Sequence, residues 1–422
     1  MRTTPIDSVR CRFFHPVEEA LRDLSSTRSC PKFSDEEFIA SGIGRVVADV
    51  RSGRDWVQQL RMWMDSRLTV ANFFNSLGSQ RRLSLVADVA RHVRLQIDRH
   101  LPLALDPLAQ HSELNGYAVY GSDGHYEALS AHAPKGEEAS KAVGAFYSIS
   151  LRSHSFSLLD IARPVRKYEH DIVALKRIGS TALRMSEATG TKVIHVYDPA
   201  VIDYAQWMRW KAKGVYIISR EKENSAVDTL GNIPWDHEDP RNIGVLTNTF
   251  VGTFSGVLLR RITYRDPATG KTFAYLTTDM NLPPGLVAFL YKLRWDIEKV
   301  FDEKKNKLQE KRAWACSDVS RSLQAQFVCL AHNLMLLLER CLESENGITD
   351  IKVQDKRSRR TEESEAKMSE RGEIPNPLVQ QCTRMTQRSL QFIRWLRRCL
   401  LAPTSYVAEI DLLRPFMEAY IT

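Results

Sequence analysis

Apolar residues recur along this chain with two different periods. From Ser34 to about residue 97 the period is helical. Ser34-Asp35-Glu36-Glu37 opens a helix, because Ser34 can cap it and acidic residues in the first turn suit the helix dipole. Apolar positions continue through Val46, Val47 and Val50, and further helices are predicted over 56–64, 70–77 and 83–97. Arg81, Arg82, Arg91, Arg94 and Arg99 give this helical region basic outer faces. Residues 1 to about 32 lack a period and read as irregular, and 102–107 reads as a linker.

From Gly116 the period changes to two. Strands are predicted over 117–122, 144–150 and 155–162, the first ending in the turn pair Asp123-Gly124, the other two joined at Arg152-Ser153. A helix over about 169–187, a buried-type strand over 192–197 ending at Asp198, a helix over 201–213 and a strand over 215–219 follow. Strand signals return at 245–254, 256–264 and 272–278, with Asp266-Pro267-Ala268-Thr269-Gly270 as a hairpin turn. One unbroken helix then runs from Leu286 past Lys305, behind Pro283-Pro284. Next come a core helix over 320–343, in which His332 is a packed residue, and a charged stretch over 346–376. That stretch contains Lys356-Arg357-Ser358-Arg359-Arg360 and reads as a mobile linker. A basic amphipathic helix over 378–401 and a last helix over 407–420 complete the chain.

The chain has 422 residues, of which 43% are apolar, enough for two or three domains with real cores. A net charge of +8 suits a polyanionic partner. Seven scattered cysteines (Cys11, Cys30, Cys316, Cys329, Cys341, Cys382, Cys399) form no CxxC, so neither a disulfide framework nor a zinc site is expected. Met1 to Arg12 has no apolar run of the signal-peptide kind. The most apolar helix, over 325–338, reads as too short to span a bilayer. A soluble, cytoplasmic protein with no membrane partner is expected.

On the helix after Pro284, Tyr291, Arg294, Glu298 and Lys305 fall within roughly a 60° stripe. Leu293, Ile297, Val300, Phe301 and Leu308 form a separate apolar stripe. The helix thus presents one carboxylate among an arginine, a lysine and a phenol, on a face apart from its packing face. An ordinary i,i+4 ion pair of Arg294 with Glu298 is the plainer reading. The spacing Tyr-x2-Arg-x3-Glu-x6-Lys resembles the signature of one group of bacterial insertion-sequence transposases of the DDE class, insertion sequence family four, and all four positions match. The stretch 69–85 resembles the region ahead of the catalytic domain in that family, and an all-strand insertion before the signature helix is similar too.

The resemblance implies that Glu298 is a metal-binding carboxylate and that Tyr291, Arg294 and Lys305 contact DNA backbone near the cleaved end. Two upstream aspartates are then needed, and Asp123 and Asp198 stand at predicted strand ends, 75 residues apart and with Glu298 100 residues further on. Two divalent ions about 3.5–4 Å apart take hard oxygen ligands of this kind, Mg²⁺ with Mn²⁺ as a substitute. The sequence departs from the family around both aspartates: Gly121-Ser122 precede Asp123, and Pro199 replaces the usual Arg after Asp198. Asp160 and Asp203 are therefore fallback ligands. Arg220 matches a family arginine at the end of its strand, and Trp235 is a candidate to stack on an extruded base or, more plainly, a packing anchor.

The expected architecture is α/β. A helical N-terminal DNA-binding domain occupies 1–110, and a ribonuclease-H-like catalytic domain 111–345, with a β insertion at about 221–285. A charged linker and C-terminal helices occupy 346–422. The expected function is metal-dependent cleavage at the ends of an insertion element and strand transfer into target DNA. The partners are double-stranded DNA, with the element's terminal inverted repeats and the target, and a second copy of the chain in a homodimer. A ribonuclease-H-like nuclease without strand transfer and a non-catalytic DNA-binding remnant are the alternatives.

Overall fold

The computed structural model describes residues 7–24, 32–50, 52–64, 68–130, 143–162, 171–374, 376–380 and 387–418. Cys30 and Cys382 lie outside them, and among the described residues no disulfide is formed. Five helices come first: α1 (Val9–Asp23), α2 (Asp35–Val47), α3 (Gly53–Met64), α4 (Val70–Leu77) and α5 (Gln80–Arg99). Helix α1 replaces the irregular tail expected from sequence. Ser8 caps it by accepting the Cys11 N–H at 3.2 Å, and Val9, Phe13, Phe14, Val17 and Ala20 are buried along one face. At α2 the expected capping box forms in both directions between Ser34 and Glu37.

The strands β1 (Tyr117–Glu127), β2 (Val143–Ser150) and β3 (Phe156–Ile161) precede α6 (Asp171–Leu183), β4 (Lys192–Tyr197), α7 (Tyr204–Lys211) and β5 (Val215–Arg220). The strands β6 (Val227–Asn232), β7 (Val245–Thr253), β8 (Leu258–Arg265) and β9 (Thr272–Thr277) follow. All nine make one sheet in the order β3-β2-β1-β4-β5-β9-β8-β7-β6. Strands β1, β4 and β5 run parallel, and every other neighbouring pair is antiparallel. The expected β insertion is thus the far half of the same sheet, joined to the near half through β5 and β9.

The sheet is covered on both faces, which is why its central strands read as nearly continuous apolar runs. Val119, Ile194, Val196 and Ile218 face a core shared with α1–α5 and the later helices, whereas Val193, Tyr197, Val215 and Ile217 face Leu175, Leu183, Trp207 and Trp210 of α6 and α7. The later helices are α8 (Pro284–Leu293), α9 (Asp296–Asn306), α10 (Asp318–Asn346), α11 (Ile351–Glu370), α12 (Pro377–Gln380), α13 (Leu390–Leu401) and α14 (Tyr406–Glu418). Helix α10 runs through the shared core against α2, α5 and β3. At 29 residues it is long and apolar enough to cross a membrane, contrary to the shorter span expected, but 67% of its apolar window is buried inside the protein. His332 is buried in α10 as expected.

Several expectations need correction. Asp123 is not in a turn: β1 continues to Glu127, because its pairing with β2 extends over Tyr120–Glu127 after its pairing with β4 has ended at Gly121. The charged stretch expected as a linker is helix α11; it has no proline or glycine and is rich in residues that lose little freedom in a helix. Arg82 and Arg94 are not on an outer face. Arg82 is buried over the rings of Phe33 and Phe38, and Arg94 is buried with Asp98 at 2.8 Å. The expected long helix over 378–401 is the short α12 and then α13, with 381–386 outside the described residues.

Candidate active site

Parallel strands β1 and β4 end side by side, and open sheets bind ligands at such carboxyl ends. Asp123 lies two residues beyond the last residue paired with β4, in the part of β1 flanked by β2 alone. Asp198 directly follows β4, accepts the Ala200 N–H at 2.8 Å and is half-buried. Alternation along the strands sends both side chains to the face on which α8 and α9 pack.

The signature segment is not one straight helix. Helix α8 ends at Leu293 and α9 begins at Asp296, and the join is closed by short-range bonds: Arg294 N–H to Tyr291 O and Ile297 N–H to Arg294 O, both 3.2 Å. These three-residue steps tighten the turn. The tightened turn rests on β1: a methyl group at Gly121 would lie 3.4 Å from Arg294 Cα, so nothing larger fits between strand and helix. This close approach sets Arg294 over the end of β1.

Arg294 is the centre of the site. Its Nη1 donates to Asp123 Oδ2 at 2.6 Å and stands 3.9 Å from Glu298 Oε1. The guanidinium, 7% exposed, therefore bridges the strand carboxylate and the helix carboxylate. Despite that partner, the Asp123 carboxyl is pushed up to about 7. Burial is the largest cause, and the charges of Asp198, Glu298 and Asp171 add to it while Arg294 opposes it. The short ion pair and the raised carboxyl pull in opposite directions. The burial and the three neighbouring carboxylates outweigh one guanidinium, so the site carries more negative charge than it can hold unaided.

Asp171 went unnoticed in the sequence. It opens α6 and reaches the same corner from the other face of the sheet, where a methyl group at Gly124 would come within 3.0 Å of its Oδ1. Its carboxyl is pushed up to about 6 by burial and by Asp198. By sequence it is only an acid in a first helical turn, and nothing local separates it from a dipole partner.

Tyr291 is half-buried on α8, its ring 4.9 Å from that of Tyr275, and burial raises its hydroxyl pKa while Arg294 and Arg220 oppose the rise. Arg220 is exposed at the end of β5. Lys305 is exposed on the last turn of α9. Its neighbour Lys304 is instead buried and paired with Glu127, and burial pushes its ammonium down to about 8. Trp235 lies outside the carboxylate corner, in the loop between β6 and β7, with its ring 4.3 Å from that of His237. Both fallback ligands are engaged elsewhere: Asp160 pairs with Arg177 at 2.6 Å, and Asp203 caps α7 and pairs with Lys176.

Among the described residues, no three acidic, histidine or cysteine side chains stand close enough together to hold one metal ion. The donor set nonetheless suits a hard divalent cation: all are carboxylates, one is raised by burial and further by neighbouring acids, and a guanidinium stands between two of them.

The structure is thus an α/β protein with an acidic corner at its parallel strand ends. Residues 153–334 match the family model described as the transposase DDE domain, a match that includes Asp198 and Glu298 and begins past Asp123. The protein is a DNA transposase, an enzyme that cleaves DNA strands and transfers them to other DNA, and transposases of this class use divalent metal ions. No curated protein matches the sequence. Among solved structures, one similar chain is that of the "Cryo-EM structure of piggyBac transposase synaptic complex with hairpin DNA (SNHP)". It aligns over 100% of this chain and 84% of that one, with 11% identity and a TM-score of 0.36.

Proposed function

We propose that Asp123, Asp198 and Glu298 are the carboxylates at which this transposase cuts the ends of an insertion element. The observation that carries the reading is the shared guanidinium: Arg294 stands 2.6 Å from Asp123 and 3.9 Å from Glu298, although these residues come from a strand and a helix far apart in the chain. The strand order β3-β2-β1-β4-β5, with two antiparallel strands and then three parallel ones, supports reading the near half of the sheet as a ribonuclease-H-like core. The matched Tyr291, Arg294, Glu298 and Lys305 support an element of the insertion-sequence family four type.

The three carboxylates would hold two Mg²⁺ ions, or Mn²⁺ in their place. Such ions activate a water or a 3′-hydroxyl and stabilise the leaving oxygen of an in-line displacement. Arg294, between Asp123 and Glu298, offsets part of the negative charge that these carboxylates bring together. Its guanidinium and the exposed Lys305 would also meet backbone phosphates. Arg220, exposed at the end of β5, is a further phosphate contact, and half-buried Trp235 is the stacking partner for a base drawn out at the element end. The helical region 1–110 contributes DNA contacts, 111–345 is the catalytic unit, and 346–422 completes it. The enzyme works as a homodimer on DNA in the cytoplasm.

The test uses the inverted repeats that flank the reading frame as substrate, with Mg²⁺ and a supercoiled target plasmid. Covalent joining of a 3′ end to the plasmid by wild type, and its loss in Asp198→Asn and Glu298→Gln, is expected. Cutting without joining would overturn the reading in favour of a nuclease.

A further inference from the structure

Helix α11 is 20 residues long, yet Met368 is its one buried residue among those whose side chains are described. It packs mainly against α12 and α14, and Met368 also meets Ala268 of the β8–β9 turn. A helix so exposed gains little from packing, and its charge distribution then decides what it is for. That charge is divided along its length. Lys356, Arg357, Arg359 and Arg360 fill the first half, and Glu362, Glu363, Glu365 and Glu370 the second. The four basic residues project over roughly 160° of the helix surface.

This arrangement is unfavourable by itself. Lys356 and Arg360 are four residues apart and Arg357 and Arg360 three apart, so like charges face each other on successive turns. Asp355 and Glu363, each four residues from Arg359, offset part of that repulsion. Arg360 Nη1 is buried with no hydrogen-bond partner. A polyanion would relieve that repulsion.

The basic half also adjoins the end of α9, the helix that carries Glu298. Lys356 shares a recess of about 300 Å³ with Lys307, the residue that ends α9. The two ammonium groups are close enough that Lys356, after burial, helps lower the Lys307 pKa, against the acids Glu303, Asp302 and Asp350. Glu303 is buried and paired with Arg388. From Glu298 a track of basic residues thus runs through exposed Lys305, then Lys307 and Lys356, to Arg357, Arg359 and Arg360.

We propose that the first half of α11 is a second duplex-DNA contact, which receives the backbone of the DNA that leaves the carboxylate corner along α9. The inference rests on the reading that the element end lies on α9. Ten helical residues span about 15 Å, matching roughly four to five base pairs of duplex.

The experiment measures fluorescence anisotropy of a labelled duplex of arbitrary sequence against the full-length protein at several salt concentrations. The variants are the fourfold Lys356, Arg357, Arg359, Arg360→Gln and, separately, Lys305→Ala, with Glu362, Glu363, Glu365→Gln as the control on the other half of the same helix. If each of the four side chains neutralises one phosphate, the fourfold variant loses roughly 3.6 from the slope of log K against log salt. Between about 50 and 200 mM salt, wild type would then lose about 150-fold more affinity than the variant. Binding by the acidic-half variant should be unchanged or tighter. Removing like-charge repulsion leaves the helix intact, which circular dichroism verifies. A slope within about one of wild type for the fourfold variant overturns the inference. If Lys305→Ala lowers the slope at the same time, the reading of α9 stands; if neither variant lowers it, the reading of α9 falls as well.

Discussion

Replacing a proposed metal ligand should make the metal-free protein more stable. Asp123 has its carboxyl pushed up to about 7 from an ordinary 3.8, mainly by burial. The folded protein therefore holds this proton more tightly than the unfolded chain does. The stability that follows is fully present below the ordinary value, falls as pH rises through the interval, and is gone above about 7. The interval is roughly three pH units at 1.36 kcal/mol each, so the ionised form costs on the order of 4 kcal/mol. Asp123→Asn keeps the shape and an oxygen to accept from Arg294 Nη1, but never ionises. At about pH 8 in EDTA it should exceed wild type by up to about 4 kcal/mol, and near pH 4 the two should coincide. With an unfolding entropy of about 2.1 cal/mol/K per residue, that is a melting difference of about 4–5 °C for a chain that unfolds as one unit. Scanning fluorimetry across pH reads it directly. Addition of Mn²⁺ should reverse the order, because a cation that binds only the folded wild-type site stabilises it by mass action. A variant that melts below wild type in EDTA at pH 8 would show that the Arg294 ion pair outweighs the crowding of carboxylates, and the reasoning would fail.

Glu298→Gln should abolish nicking while DNA binding stays near wild type, since it removes a charged ligand at constant shape; Mg²⁺-dependent nicking by the variant would unseat Glu298. Lys305→Ala, at an exposed position, should lower the salt slope of duplex binding by about 1 without a change in melting temperature, both measurable on one preparation. Arg388→Ala should destabilise the protein by about 3–5 kcal/mol. It strands buried Glu303, bonded at 2.6 Å, and takes the 2.7 Å partner from half-buried Glu339, and denaturant melts would show it. Gly285→Ala should also destabilise strongly, because its methyl group would fall 1.9 Å from the Arg241 carbonyl oxygen; an unchanged melt would contradict that packing.

What could be read from the sequence was whatever a local period encodes. Helix α4 and strand β4 have the bounds that their apolar spacing predicts, and β7, β8 and β9 fall where β-branched runs stand between turn residues, whereas the largely exposed β6 was not expected. The features missed depend on partners far away in sequence. Asp123-Gly124 reads as a turn until β2 pairs alongside and carries β1 on to Glu127. The helix of the signature breaks at Arg294 with neither glycine nor proline there; its backbone lies against Gly121, and the side chain turns to Asp123. Lys304 looks like its neighbour Lys305, but it points inward because Glu127 is there to receive it. Asp171 has no motif of its own and joins the site only because α6 starts beside Gly124. By charge alone α11 resembles a linker, but it has no glycine or proline and its residues lose little freedom in a helix.

The central claim is that Asp123, Asp198 and Glu298 surround the metal, and locating the ion on the chain tests it most directly. Fe²⁺ loaded in place of Mg²⁺, with ascorbate and peroxide, generates hydroxyl radicals that cut the backbone next to the bound ion. Mass spectrometry of the fragments should place the cuts around residues 123, 198 and 298. Excess Mg²⁺ should suppress them, and they should vanish in Asp198→Asn. Cuts clustered elsewhere, or unchanged in that variant, would contradict the account.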